Sequence, residues 1–186
     1  MRALRILFCA APLWLAACAS LPTPAPLALH DSDDFALTGR IVVRQGSKAD
    51  VLRITWSHAG GEDRAHLETQ LGQTIAEIAL NPRGGTADLA DGRHIEEDSD
   101  TELARRLIGI PLPLRRFADW VRARPASREA GTADKPLDSF DDSGWHLAYQ
   151  AWGEAPGGAQ LPALIEARQD PLSVRLRIEK WSLGAP

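Results

Sequence analysis

The residue best placed for covalent chemistry is Cys18, which closes the run Leu15-Ala16-Ala17-Cys18. Small side chains ahead of it suit a processing site, and a cut after Ala17 would leave a thiol beside a free α-amine. Arg2 and Arg5 supply a positive flank, and Ile6 to Ala17 an apolar stretch of signal-peptide length, too short to span as a mature transmembrane helix. The other cysteine, Cys9, lies inside that stretch, so the body of the chain keeps no thiol for a disulfide or a thiolate metal site. Other constellations carry little chemistry. There is no His-Glu-x-x-His, and His30, His58, His66, His94 and His146 are scattered, so no metal is expected. Gly-x-Ser-x-Gly is absent, and Ser143 beside Asp142 reads as a turn ahead of a Trp145 strand rather than as a nucleophile. Glu96-Glu97-Asp98 with Asp100 lacks the spacing of a calcium loop and reads as a solvated lead-in to a helix. No Gly-x-x-x-x-Gly-Lys cradles a phosphate. Neither enzymatic activity nor a cofactor is expected from these residues.

The Leu15 to Cys18 site resembles the lipobox of bacterial lipoproteins. That resemblance implies a diacylglyceryl thioether on Cys18, cleavage after Ala17 and a third acyl chain on the new amine. One chain anchors only marginally, at roughly 0.8 kcal/mol per buried methylene, whereas three hold permanently. The alternative is an ordinary secretory signal with a cysteine nearby. Residues 1–17 are thus expected to be signal peptide, and residues 18–33, with Leu21-Pro22-Thr23-Pro24-Ala25-Pro26, an acylated cysteine and extended tether. Residues 34–186 remain as a single domain long enough to bury a core. Ala19 stands where lipoproteins kept in the inner membrane commonly carry aspartate, which implies the outer membrane, facing the periplasm. Loss of Arg2 and Arg5 makes the body more acidic than the net −4 of the whole chain. Such a body gives nucleic acid nothing to hold, and Arg122, Arg124 and Arg128 are too few for a patch, though they could meet a partner or a lipid phosphate. Membrane contact would rest on the anchor and on apolar groups.

The elements that must position any site are mostly strands. Phe35, Leu37, Ile41 and Val43 share one parity, and Leu52, Ile54 and Trp56 alternate with Arg53 and Thr55. His66 to Gln70 and Thr74 to Leu80 flank Leu71-Gly72-Gln73; Asn81 to Gly85 reads as a turn and Asp91-Gly92 as a tight hairpin. Trp145, Leu147 and Tyr149, then Val174, Leu176 and Ile178, continue the alternation. Two helices interrupt it. Ser99 with Glu102 forms a capping box before Leu103, Leu107 and Ile108, with Gly109 as the stop. Pro113 fits the first turn of a second helix whose Leu114, Phe117, Trp120 and Val121 make an apolar stripe. Each stripe must cover something apolar. The expected fold is mainly β within an α+β class: an unclosed antiparallel barrel, helices against its concave side, and an apolar interior.

The ordered series Phe35 to Ile41 with Gly39-Arg40, the Trp56 strand, Leu71-Gly72, Gly109-Ile110-Pro111-Leu112-Pro113-Leu114 before Trp120, Gly144-Trp145 before Tyr149, Leu161-Pro162 and Lys180-Trp181 resembles the LolB family of outer-membrane lipoprotein receptors. Gln70 departs from that family's usual proline before Leu-Gly, and Ala123 from its usual glycine. The resemblance implies an unclosed barrel around an apolar cavity. It also implies a function: acceptance of mature lipoproteins from a soluble periplasmic, LolA-like carrier and placement of their acyl chains in outer-membrane lipid, by a monomer and without nucleotide hydrolysis. A lipid tail cannot cross water unsheltered, so such a route needs a wall of apolar side chains at each stop. The expected wall comprises Leu37, Ile41, Val43, Ile54, Trp56, Leu67, Ile78, Leu80, Trp145, Leu147, Leu176 and Ile178, closed by Leu103, Leu107, Phe117 and Trp120. Periodicity alone leaves each of these open to plain core packing. Leu71 lies among polar and glycine neighbours between two strands, where an exposed apolar tip would mark a contact site or else fold back over the barrel mouth. The family's matching leucine implies the former, delivery of lipid into the membrane. The competing function is a passive outer-membrane lipoprotein that scaffolds an envelope assembly, for which a filled core would be expected.

Overall fold

The structure, a computed structural model, describes residues 33–125 and 137–184; the signal, Cys18, residues 19–32 and Arg128 lie outside the described residues. Ten strands form one antiparallel sheet: β1 (Phe35–Gln45), β2 (Lys48–Ala59), β3 (Glu62–Glu68), β4 (Thr74–Asn81), β5 (Gly84–Leu89), β6 (His94–Glu97), β7 (Ser139–Asp142), β8 (Trp145–Glu154), β9 (Gln160–Gln169) and β10 (Leu172–Leu183). Their order is β6-β5-β4-β3-β2-β1-β10-β9-β8-β7, so β1 and β10 meet at the centre and the edges β6 and β7 are not joined. The sheet is an open barrel.

Alternation along the strands decides which side chains face inward. In β1, Phe35 and Leu37 are buried while Thr38 and Arg40 are exposed; in β10, Val174, Leu176 and Ile178 are buried between exposed Arg175, Arg177 and Glu179. One irregularity shapes the centre. The β1–β10 register shifts between Thr38 and Gly39, and a Cβ on Gly39 would stand 2.2 Å from the Arg177 carbonyl oxygen. Only glycine permits that approach, and such bulges add local bend and twist to a sheet.

The helices α1 (Asp100–Ile108) and α2 (Leu114–Val121) cover the concave face. Ser99 caps α1 by accepting a hydrogen bond from the Glu102 backbone N–H at 3.4 Å, and Gly109 ends it, its N–H donating to the Arg105 carbonyl. Buried Leu103 and Ala104 turn α1 toward β5 and β6. Room for Leu103 comes from Gly85, where a Cβ would lie 2.9 Å from a Leu103 methyl and 2.5 Å from a Leu80 methyl. Four of the eight residues of α2 are buried: Phe117, Ala118, Trp120 and Val121.

Three local expectations shift. Pro113 sits at the N-cap of α2 rather than inside its first turn, and its carbonyl accepts the Phe117 N–H at 3.2 Å. The ladder between β4 and β5 continues to Asn81↔Gly84, leaving only Pro82 and Arg83 as the turn. The third strand runs over Glu62–Glu68, earlier than His66 to Gln70, because Thr69 to Gln73 close into a loop of their own.

Candidate functional site

Between the β1–β4 part of the sheet and the helices lies an apolar cavity of about 110 Å³. Its sheet wall is Ile41 and Val43 of β1, Leu52, Ile54 and Trp56 of β2, Ala65 and Leu67 of β3, and Ile78 and Leu80 of β4. Its cover is Ala104, Leu107 and Ile108 of α1, Leu112 of the interhelix link, and Leu114 and Phe117 of α2. Of the residues expected to form the wall and cover, Ile41, Val43, Ile54, Trp56, Leu67, Ile78, Leu80, Leu107 and Phe117 meet here.

The remaining seven go elsewhere. Leu37, Trp120, Trp145, Leu147, Leu176 and Ile178 are buried in the main core, which is continuous with the cavity residues Ile54, Trp56 and Phe117, and Leu103 packs with Leu80, Ala87 and Ile95 under α1. A contiguous set of rings runs from the cavity lining, Trp56 and Phe117, into that core. Phe35 stands 5.1 Å from Trp56, Trp56 6.3 Å from Phe117, Phe117 5.5 Å from Trp120, and Trp120 6.1 Å from Trp145, centroid to centroid.

One charged residue, Asp63, reaches the cavity, and sequence reasoning missed it. Its parity with Ala65 and Leu67 points it inward, but hydropathy gives a carboxylate no reason to be there. The structure supplies one. A single Asp63 oxygen accepts the Trp56 indole N–H at 2.9 Å and lies 2.8 Å from His58 Nδ1. An indole N–H left unpaired in an apolar wall would cost about 1–3 kcal/mol, so Asp63 allows Trp56 to offer the cavity its ring. Leu52, Ala65, Ala104, Ile108, Leu112 and Leu114 were also missed as lining, although Leu52, Ile108 and Leu114 fit the strand or helix spacing already recognised.

The cover is pinned at its far end by ion pairs. Arg122, buried at the end of α2, donates to the Ala118 and Asp33 carbonyls at 2.8 and 2.9 Å and stacks its guanidinium 5.3 Å from the Phe35 ring centroid. Burial lowers its pKa, with Arg124 adding to the effect and Asp119 and Asp33 opposing it. Arg124 pairs with Asp33. These two arginines therefore hold α2 to the start of β1 rather than standing free for a phosphate. At the other edge, Asp142 of β7 accepts the Trp120 indole N–H at 2.8 Å and pairs with Arg116. Burial pushes this carboxyl up, but hydrogen bonds from Trp120, Arg116 and Ser143 outweigh it and hold it below the usual carboxylate range.

Leu71 protrudes. It is 89% exposed at the tip of the β3–β4 loop, and the alternative, folding back over the mouth, does not occur. Thr69 organises the loop: its Oγ1 accepts the Leu71 and Gln73 N–H groups at 3.3 and 3.2 Å, while its own N–H donates to the Gln73 carbonyl at 2.8 Å. Gln70 donates its side-chain amide to the Val51 carbonyl at 3.4 Å.

Other sequence features have ordinary settings. Ser143 is in the β7–β8 turn, where its hydroxyl donates to Asp142 at 2.9 Å, and Glu97 pairs with Arg106 at 2.8 Å. Among the described residues no group of three or more His, Cys, Asp or Glu side chains could hold a metal ion, and no helix is long and apolar enough to cross a membrane.

Residues 33–181 match the family described as outer membrane lipoprotein LolB. The chain is 30% identical over 181 residues to the outer-membrane lipoprotein LolB of Chromobacterium violaceum, covering 95% of this chain and 98% of the relative. It is 34% identical over 195 residues to that of Cupriavidus metallidurans, covering 96% of each. The crystal structure of a LolA superfamily protein from Nitrosomonas europaea shares the fold, with a TM-score of 0.55 over 84% of this chain and 89% of that one, at 13% identity. A DUF1329 family protein from Desulfovibrio piger does so at a TM-score of 0.54, covering 85% and 89%, at 8% identity. The chain belongs to the LolB family.

Proposed function

We propose that this LolB-family chain acts in lipoprotein localisation, as an outer-membrane receptor anchored through Cys18. It takes mature lipoproteins from a soluble LolA-like periplasmic carrier and passes their acyl chains to outer-membrane lipid. The observation that carries this reading is the apolar cavity between β1–β4 and the two helices. Its one charged side chain, Asp63, is already engaged by Trp56 and His58, so the surface left for a ligand is hydrocarbon. Sheltering an acyl chain there recovers roughly 0.8 kcal/mol per methylene withdrawn from water. With no nucleotide to drive it, transfer runs downhill in affinity from carrier to receptor to bilayer.

The cavity size adds a requirement. At about 110 Å³ it is smaller than a cavity of about 150 Å³ that takes up a benzene, so entry of a triacylated terminus requires the α1–α2 cover to move from the sheet. The short, stiff link Gly109 to Pro113 lets the two helices shift as a pair. Leu71 then serves the last step, delivery into the membrane.

The test is a transfer assay in which lipoprotein bound to its carrier is mixed with this protein. Cargo is expected to move to it, and a cavity-bound hydrophobic fluorophore to be displaced as it does. No transfer from a competent carrier overturns the reading; a fluorophore that never binds favours the scaffold alternative. Leu71→Glu is expected to retain fold and acceptance but to lose delivery to vesicles. Normal delivery by that variant would remove Leu71 from the mechanism.

A further inference from the structure

We infer that Leu71 does not meet the membrane alone: Val51, Leu71 and Ile75 form an apolar crest that docks one end of the sheet into the acyl boundary of a phospholipid bilayer. The inference rests on the membrane reading of Leu71 and extends it to two strands. Val51, Leu71 and Ile75 are the large hydrophobic side chains left exposed among the described residues, at 46%, 89% and 37%, and the strand register puts all three at one end of the sheet. The loop carrying Leu71 follows β3, which lies between β2 and β4 in the sheet. Val51 is on β2, its carbonyl bonded to Gln70 in that loop, and Ile75 is on β4, its carbonyl accepting the Ala90 N–H at 3.1 Å.

Both strand residues face outward, for the cavity wall of β2 and β4 is Leu52, Ile54, Trp56, Ile78 and Leu80, of opposite parity. A single exposed apolar residue is ordinary, but a group of them at one end of a sheet marks a contact surface; Glu68 of β3, between the two strand positions, is paired with His66. Its backbone is held by the Thr69 and Gln70 hydrogen bonds, so the crest is pre-formed.

A bilayer is the occupant because the chain outside the described residues can bring one there. Asp33 lies at the end of β1 opposite the loop, while Val51 pairs with Val42 near the end where β1 finishes. The 11 residues of β1 rise roughly 37 Å. The 16 residues from Cys18 to Asp33 reach at most roughly 50 Å. An anchor at Cys18 therefore permits the Leu71 end to face the same membrane.

The experiment uses the mature, anchored protein reconstituted in vesicles of phosphatidylethanolamine and phosphatidylglycerol. The described residues contain no cysteine, so an environment-sensitive fluorophore can be attached singly at Leu71→Cys, Val51→Cys, Ile75→Cys or, as a control in the turn at the opposite end, Arg83→Cys. Quenchers are carried on the lipid acyl chains. Loss of emission at 51, 71 and 75 but not at 83 is expected, and the double variant Val51→Ser/Ile75→Ser should restore much of the emission of a probe at 71. Quenching at 71 alone overturns the crest and leaves the Leu71 reading standing. Quenching at none of the three overturns both, and equal quenching at 83 overturns docking through this end.

Discussion

The two parts of the sheet are built from the same period-two strands, yet one ends in a cavity and the other in solid packing. Around β7–β10, inward residues meet bulky rings, three of which have their polar atoms engaged. The Tyr149 hydroxyl donates to the Trp120 carbonyl at 2.7 Å, Trp120 to Asp142 at 2.8 Å, and Trp181 to the Pro162 carbonyl at 3.1 Å. These bonds fix ring orientations, and Phe140, Leu147, Ile165, Val174 and Leu176 fill the remaining space. Around β1–β4 the wall is mostly aliphatic, with the rings of Trp56 and Phe117, and the helices above it contribute Ala104, Leu107, Ile108, Leu114 and Phe117. Those side chains do not reach far enough to fill the gap. An alternating strand therefore encodes an inward face but not what the face encounters; the opposing side chains decide whether it is a core or a wall.

Truncation gives the largest contrast between the regions. Trp120→Ala is expected to cost about 3–5 kcal/mol, since it removes a buried ring and leaves Asp142 without its indole donor. Leu67→Ala in the cavity wall should cost less than about 2 kcal/mol, because that side chain already lacks packing atoms on one side. Denaturant melts of the two variants measure the difference, and equal losses would show that the cavity half is as tightly packed as the other.

A smaller effect on stability, but a decisive one on binding, is expected from Ala65→Leu. The added methyl groups enter the cavity, so stability should change by no more than about 1 kcal/mol while binding of a hydrophobic fluorophore falls away. Unchanged binding would place the ligand elsewhere. The corresponding enlargement in the packed half, Ala167→Leu, should instead destabilise by about 1–3 kcal/mol through overpacking.

The smallest effect is on acid stability. Asp142 has a folded-state pKa below its ordinary value, so its contribution is present above the ordinary carboxylate range and is lost as pH falls through the folded value. Asp142→Asn should therefore flatten the acid limb of the stability curve below about pH 4, with little change in the cavity. A midpoint-versus-pH series checks it, and an unaltered limb would remove Asp142 from the link between α2 and β7.

Much of the fold was legible because it is written in local periodicity. The Ser99–Glu102 box, the Gly109 stop and the strand alternation are short-range signals, and the elements they mark form close to where they were expected, whereas β7 and β9 carried no such signal. The candidate site was only partly legible. Seven cavity residues were identifiable by strand parity and two, Leu107 and Phe117, by helix spacing, but the same parity selected Trp145, Leu147 and Leu176, which are buried in the core. Asp63 was invisible because its role depends on Trp56 and His58 across a hairpin. Val51 and Ile75 read as ordinary strand residues until the sheet set them beside Leu71.

The sequence by itself determined the two helices and most of the strand segments with their inward parity, the lone apolar residue at the β3–β4 loop and the resemblance to LolB, because these depend on neighbours within a few residues or on a series of motifs in order. The tertiary structure alone decided which inward residues enclose space, which polar groups are neutralised by partners and which exposed side chains gather at one end. Those outcomes depend on the distances between elements far apart in the chain, and a Cβ on Gly39 or Gly85 would be enough to change such spacings.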